Sequence, residues 1–239
     1  MKKLLLLLSI PFAMLATSCG AGKNILDGLG NSGLTQTEIA NGLKEALTIG
    51  AQTSSNRLSA VDGFFNNAIH KIYMPEEAQK VEKALRAVGM GATVDKAVLA
   101  MNRAAEDAAK TAGSIFVDAI RQMTITDAVR ILKGGDTAAT AYFRQVTTQT
   151  LFNTFKPIVN NALAKTNATN YWNEVFSLYN KISSKPVTTD LSAYVTNRAI
   201  DALFYEIKNQ EVSIRQDPAA RVTDLLKRVF GSSLAQQRA

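Results

Sequence analysis

Cysteine and histidine are almost missing from this 239-residue chain, which has one of each, Cys19 and His70. A single cysteine leaves no intrachain disulfide, so even in an oxidising compartment the fold must be held by packing. One histidine and one cysteine are also too few for a zinc site of the His/Cys type. A Ser–His or Cys–His pair would have to use His70, and no G-x-S-x-G elbow is present. His70 lies among Ala68, Ile69, Ile72 and Tyr73 and reads as a structural histidine at a helix end. Calcium loops of the D-x-D-x-D-G type and G-x-x-x-x-G-K-S/T phosphate loops are both lacking. No cofactor or metal is therefore implied. No two-residue hairpin signal and no sustained period-two run occurs, which argues against a sheet. A concentrated basic face is missing as well. The formal charge is +7, but acids are interleaved throughout, so no nucleic-acid footprint forms.

What is present begins at the N-terminus. Lys2 and Lys3 precede an apolar stretch from Leu4 to Ala16, then Ala16-Thr17-Ser18, then Cys19. Thirteen apolar residues are too few for an ordinary membrane span and fit the h-region of an export signal. A solitary cysteine directly after the small-residue site resembles the lipobox of bacterial lipoproteins. In that class the thiol is alkylated with diacylglycerol, the leader is cut before the cysteine, and the new amine is acylated. The usual lipobox has Leu three residues before the cysteine, where this chain has Ala16. Ala16-Thr17-Ser18 would also serve as a plain A-x-S cleavage site. Each buried methylene adds about 0.8 kcal/mol, so several acyl chains anchor firmly where one does not. Gly20 rather than Asp follows Cys19, which points to the outer membrane facing the periplasm.

Cutting before Cys19 leaves residues 19–239; without Lys2 and Lys3 they carry +5. Such a balance favours anionic headgroups or polysaccharide only as a bias. Hydrophobic residues make up 46% and mean hydropathy is near zero, as in a water-soluble globular body. Residues 19–33 are glycine-rich and read as a flexible tether. The helical domain is placed at 34–231, with 232–239 as a C-terminal tail.

Nearly all of that domain reads as helix. Thr35 with Glu38 forms a capping-box signature ahead of Ile39, Leu43, Ala46 and Leu47. Pro75, Glu76 and Glu77 suit a first turn, and Gly89 and Gly91 a stop. From Thr93 to Met123, Val94, Val98, Met101, Ala105, Ala108, Ala112, Ile115 and Ala119 step by four and three, predicting one long helix with a close-packing seam. Gly113 would allow a bend or a close crossing. A short helix is expected over 125–133, stopped by Gly134-Gly135. Asp136 then caps a long one with a kink at Pro157. Leu191 to Arg215 is apolar on two sides and should be buried between neighbours. Asp190 and Asp217 are N-cap candidates, with Pro218 at a first position and Gly231 past an end. Residues 184–189 read as a polar linker, and Trp172, Tyr171, Phe176 and Tyr179 as core aromatics.

Most charges have a surface explanation in i,i+3 and i,i+4 pairs such as Glu82–Arg86 and Asp127–Arg130. Two escape it. Arg144 shares a face with Leu151 and Phe155 and has no acid three or four residues away, so it should find a carboxylate or an anion elsewhere. Glu211 lies on the Ile207–Ile214 line, which places its pairing with Arg215 partly inside. The turn Lys133–Thr140 is the candidate ligand site: Gly135 and Thr137 open a helix whose free N–H groups could hold an anion beside Arg130, Lys133 and Arg144. A plain helix connection is the simpler account of that turn.

The segments GLKEAL (42–47), MPEE (74–77), NRAAEDAA (102–109), TDAVRILKGGDTAATAYFR (126–144), YVTNRAIDALFYEI (194–207) and IRQDPAARVTDLLKRVFG (214–231) resemble the bacterial lipoprotein family catalogued as domain-of-unknown-function family 4197. The resemblance implies an exported helical lipoprotein and brings no activity, cofactor or catalytic residue. The expectation is an all-α multi-helix bundle, anchored to the membrane through Cys19, that binds an envelope protein or lipid without catalysis. Its oligomeric state is left open. The alternative is a hydrolase or transferase using Arg103, Glu106 and Arg144, which requires them to converge in one pocket. A third reading, a lipid carrier, requires a dry cavity of several hundred Å³.

Overall fold

Local capping chemistry sets several helix starts in the computed structural model, which describes residues 33–236 apart from 167–168, 171, 174–179 and 182–189. Helix α1 spans Gln36–Ser59. Its box is complete: the Glu38 N–H donates to Thr35 Oγ1 at 3.1 Å and the Thr35 N–H to Glu38 Oε2 at 2.9 Å. An irregular connection from 60 to 75 and a 3-10 turn at Glu76–Ala78 lead to α2, Gln79–Ala87. Gly89, at φ +85°, ends α2 as expected, but Gly91 opens α3 rather than stopping its predecessor. The expected 93–123 helix is two: α3, Gly91–Ala109, and α4, Ala112–Gln122.

The cause of that break lies on α1. Ser55 Oγ donates to the Ala109 carbonyl at 2.8 Å, taking the acceptor that a continuous helix would offer to Gly113. A Cβ on Gly113 would sit 3.6 Å from the same hydroxyl, so α1 passes close at this point. The seam is buried through Ala112, and then its register slips by one. Phe116 and Ile120 are buried in α4, whereas Ile115 and Ala119 are only half-buried.

Helix α5 spans Ile125–Lys133, as expected, behind a second capping box made by Thr124 and Asp127. Helix α6, Ala138–Lys165, runs through Pro157, and α7 spans Leu191–Gln216 with Asp190 as its N-cap. The segment after Asp217 is a 3-10 turn at Pro218–Ala220, followed by α8, Asp224–Phe230, which ends at Gly231. Residues 232–236 are no loose tail: Leu234 and Ala235 are buried in a short helix α9, Ser233–Gln236, against α5. The chain is all-α, with no strand among the described residues.

Helix α7 is central, packed on α1, α3 and α6, which explains its two apolar sides. Phe116, Phe143 and Phe204 form its aromatic contact, with centroids 5.4 and 6.0 Å apart in edge-on geometry. Trp172 is buried; Tyr171, Phe176, Tyr179 and the 184–189 linker lie outside the described residues, as do Cys19 and the leader.

Candidate functional site

Buried charge marks two places where helices hold irregular backbone. The first is the α5–α6 turn. Glu211 of α7 is buried, and its carboxylate accepts the N–H groups of Ala139 and Thr140 at 2.9 and 2.8 Å and the Thr140 hydroxyl at 2.8 Å. Arg215, one turn further on, donates to Glu211 at 3.0 Å and to the carbonyls of Leu132 and Ile131 at 3.1 and 2.8 Å. An anion thus sits at the start of α6 and a cation at the end of α5, each with the favourable sign for the helix dipole. The Glu211–Arg215 pair expected from the sequence is fully inside.

This arrangement corrects the reading of the turn. Asp136 does not cap α6: the N-cap is Thr137, without a side-chain cap bond, and Asp136 accepts from Gln216 Nε2 at 2.8 Å. The N–H groups offered to an anion are already taken by Glu211. Arg130 is paired with Asp127 at 2.7 Å, Lys133 is half-buried, and nothing lies within 4 Å of a Cβ placed on Gly135. Only Thr137 and Arg144 come together, lining a cleft of about 410 Å³ between α6 and α7. Arg144 is more exposed than its apolar face suggested. It finds Asp201, 3.4 Å away, and lies 4.4 Å over the Phe204 ring.

The second place is the 60–75 connection. Asp62 is left-handed at φ +68°, which costs a non-glycine residue about 1 kcal/mol. Its carboxylate is held by Arg103 at 2.7 Å and by Asn66 at 2.7 Å. A Cβ on Gly63 would meet the carbonyls of Arg57 and Leu58 at 2.5 Å, so only glycine fits there. Buried Glu106 of α3 accepts the N–H groups of Phe64 and Phe65 at 3.1 and 3.3 Å, and Arg103 at 2.7 Å on its other oxygen. Asn102 brackets Ile72, accepting its N–H and donating to its carbonyl, both at 2.8 Å.

Glu206 of α7 completes the clamp. It accepts from His70 Nε2 at 2.6 Å and from Arg57 at 2.9 Å. His70 is buried in the connection rather than at a helix end, with its ring edge-on to Tyr205. Phe64 and Ile72 point inward with no exposure. Val61, Ile69 and Tyr73 point outward, 81%, 62% and 58% exposed, and Lys71 lies 4.3 Å over the Phe65 ring.

Arg103 and Glu106 do converge, yet they do so as part of this clamp, while Arg144 lines the α6–α7 cleft. The three share no pocket, so the hydrolase or transferase reading loses its constellation. The space near Leu47, Ile207 and Phe230 is about 20 Å³, room for one water. A groove of about 470 Å³ between α3 and α6 is open and rimmed by Lys96, Asp107 and Lys165, unlike a dry carrier cavity. Among the described residues no group of three His, Cys, Asp or Glu could hold a metal, and no helix is long and apolar enough to cross a membrane.

Sequence reasoning missed Glu206, Asn102 and the 60–75 connection. The available signal was the cluster Val61, Ile69 and Tyr73 in a stretch without helical period. Comparison with known proteins found no match among curated proteins or among solved structures. A family model does match, described as "Protein of unknown function (DUF4197)", over residues 33–231. That span takes in every described helix up to Gly231 and both clamps, and the chain belongs to this family.

Proposed function

We propose that this chain is an exported, lipid-anchored and non-catalytic binding module of the cell envelope, whose docking face for a partner protein is the 60–75 connection. One observation carries the docking face: buried Glu106, Asn102 and Glu206 immobilise a connection that presents Val61, Ile69 and Tyr73 to solvent. Folding alone does not require outward apolar side chains on a locked loop. Preorganisation of this kind lowers the entropy cost of binding a surface of fixed shape. A fluid bilayer has no such shape, which favours a protein.

The layout supports the same choice. The glycine-rich arm from Cys19 enters at the start of α1, and the connection leaves from its other end. Twenty-four helical residues separate the two ends by about 36 Å.

Two measurements on the full chain in its bacterial host test the proposal. Labelling with a fatty-acid analogue should mark the wild type and leave Cys19→Ala unlabelled and unprocessed. Failure of the wild type to label removes the lipid anchor. A photo-crosslinking residue at Ile69 or Tyr73 should give one protein adduct of defined mass, lost when Val61→Asp is added. Adducts to lipid alone, or an adduct indifferent to Val61→Asp, would overturn the docking face.

A further inference from the structure

We infer that the cleft between α6 and α7 binds a phosphorylated anionic group through the side chains of Arg144 and Lys208. The site owes nothing to the α6 N-terminus, whose N–H groups are occupied by Glu211. It is built from two helical faces: Thr137 and Arg144 are seven apart on α6, and Asp201, Phe204, Tyr205 and Lys208 recur at three, one and three on α7. Antiparallel packing of the two helices lays these faces opposite each other, as the Glu211–Ala139 and Lys156–Asp190 contacts at opposite ends show.

The donors at this cleft are left over. The Arg144 guanidinium carbon lies 4.4 Å over the Phe204 ring, and the side chain makes one hydrogen bond, to Asp201, which leaves most of its N–H fork free. Its contact to Asp201, at 3.4 Å, is the longest ion pair among the described residues, and others such as Arg103–Asp62 and Arg130–Asp127 are at 2.7 Å. Lys208 has no ion pair or hydrogen bond among the described residues, and the hydroxyls of Thr137 and Tyr205 have no hydrogen bond there. Two cations and two hydroxyls therefore face one carboxylate. Behind them, the Glu211–Arg215 pair is neutral as a unit.

A phosphate group would neutralise the positive charge that Asp201 leaves unmatched and accept from the Arg144 fork in the bidentate manner that guanidinium favours. The volume, about 410 Å³, suits a small group, and its open side leaves room for whatever carries the phosphate. That carrier is either a lipid headgroup or a soluble ester.

The test uses the full lipidated chain in neutral detergent. One arm titrates inorganic pyrophosphate; the other offers vesicles containing phosphatidic acid in a neutral lipid background. Saturable binding is expected in at least one arm, and which arm binds names the source. Arg144→Gln with Lys208→Gln should weaken it by about tenfold or more, as loss of charged hydrogen bonds does. Asp201→Asn should strengthen it severalfold by removing the competing carboxylate. Lys133→Gln, a charge change outside the cleft, should leave it unaltered, and so should Ile69→Asp in the 60–75 connection. Circular dichroism confirms that each variant is folded. No binding in either arm, or equal losses for Lys133→Gln and the cleft variants, would overturn the site, whatever the fate of the docking face.

Discussion

Two glutamates five residues apart on α7 do opposite jobs with the same chemistry. Glu211 closes helix ends: with Arg215 it binds backbone groups at the end of α5 and the start of α6, together with the Thr140 hydroxyl. Glu206, with Glu106 and Asn102, grips a long stretch that has no regular structure to complete. Connections of this length inside compact domains are uncommon and are usually functional. The first clamp leaves nothing apolar in solvent at its turn, and the second leaves Val61, Ile69 and Tyr73 there. Similar burial of charge therefore serves closure in one place and presentation in the other.

The largest expected effect separates the two. Arg215→Ala leaves the buried Glu211 carboxylate without its counter-charge and the Leu132 carbonyl without its donor, a combination worth about 3–5 kcal/mol. Urea unfolding should show that loss as a global shift of the midpoint. Glu206→Ala strands His70, but Arg57 is largely exposed and can turn to water. Its cost should be about 1–3 kcal/mol. Hydrogen exchange should show protection lost over 60–75 while α5 and α6 keep theirs. Equal global losses for both variants would erase the distinction between closure and presentation.

Next in size is Gly63→Ala, whose new methyl meets two backbone carbonyls rather than a flexible side chain. The connection must shift to admit it, at roughly 1–3 kcal/mol. Limited proteolysis should then cut within 60–75 first. A variant as resistant as the wild type would show that the connection is softer than its hydrogen bonds imply.

How much of this contrast was readable beforehand depended on sequence distance. Thr35 with Glu38, the 125–133 helix and the two apolar sides of α7 were legible because their partners are neighbours or periodic. Arg144's need for a distant carboxylate was legible, but its identity was not, since Asp201 is 57 residues away. Asp136 looked like a cap because it stands beside the helix start; a carboxylate 72 residues on does the work instead. The break after Ala109 depends on Ser55, and the fate of His70 on Glu206, 136 residues away. In each case a tertiary hydrogen bond outcompeted the local candidate, and no periodicity encodes that.

Ile69→Asp tests presentation from the other side. The residue is exposed and unbonded through its side chain, so stability should move by no more than about 0.5 kcal/mol. Partner crosslinking from Tyr73 should nevertheless be lost. A large fall in stability would mean that Ile69 serves packing and that the second clamp is a closure device like the first.

The smallest loss expected from breaking a clamp belongs to one with no buried charge at all, the Thr124–Asp127 box at the start of α5. Thr124→Ala should cost about 1 kcal/mol. The Thr124 hydroxyl, bonded at 2.7 Å, is the main cause holding the Asp127 carboxyl below its usual range, with the Thr124 N–H and Arg130 adding to it and burial opposing it. A carboxyl whose folded pKa is lowered contributes stability above its unfolded value of about 3.9 and loses it as pH falls through the folded value. Urea midpoints of wild type and Thr124→Ala should therefore differ at neutral pH and converge in that acid window. Arg215→Ala should keep a deficit at any pH where the protein stays folded, because the Leu132 carbonyl it strands does not titrate. A Thr124→Ala deficit that persists unchanged through acid would assign the box's stability to the hydroxyl alone, with Asp127 a bystander.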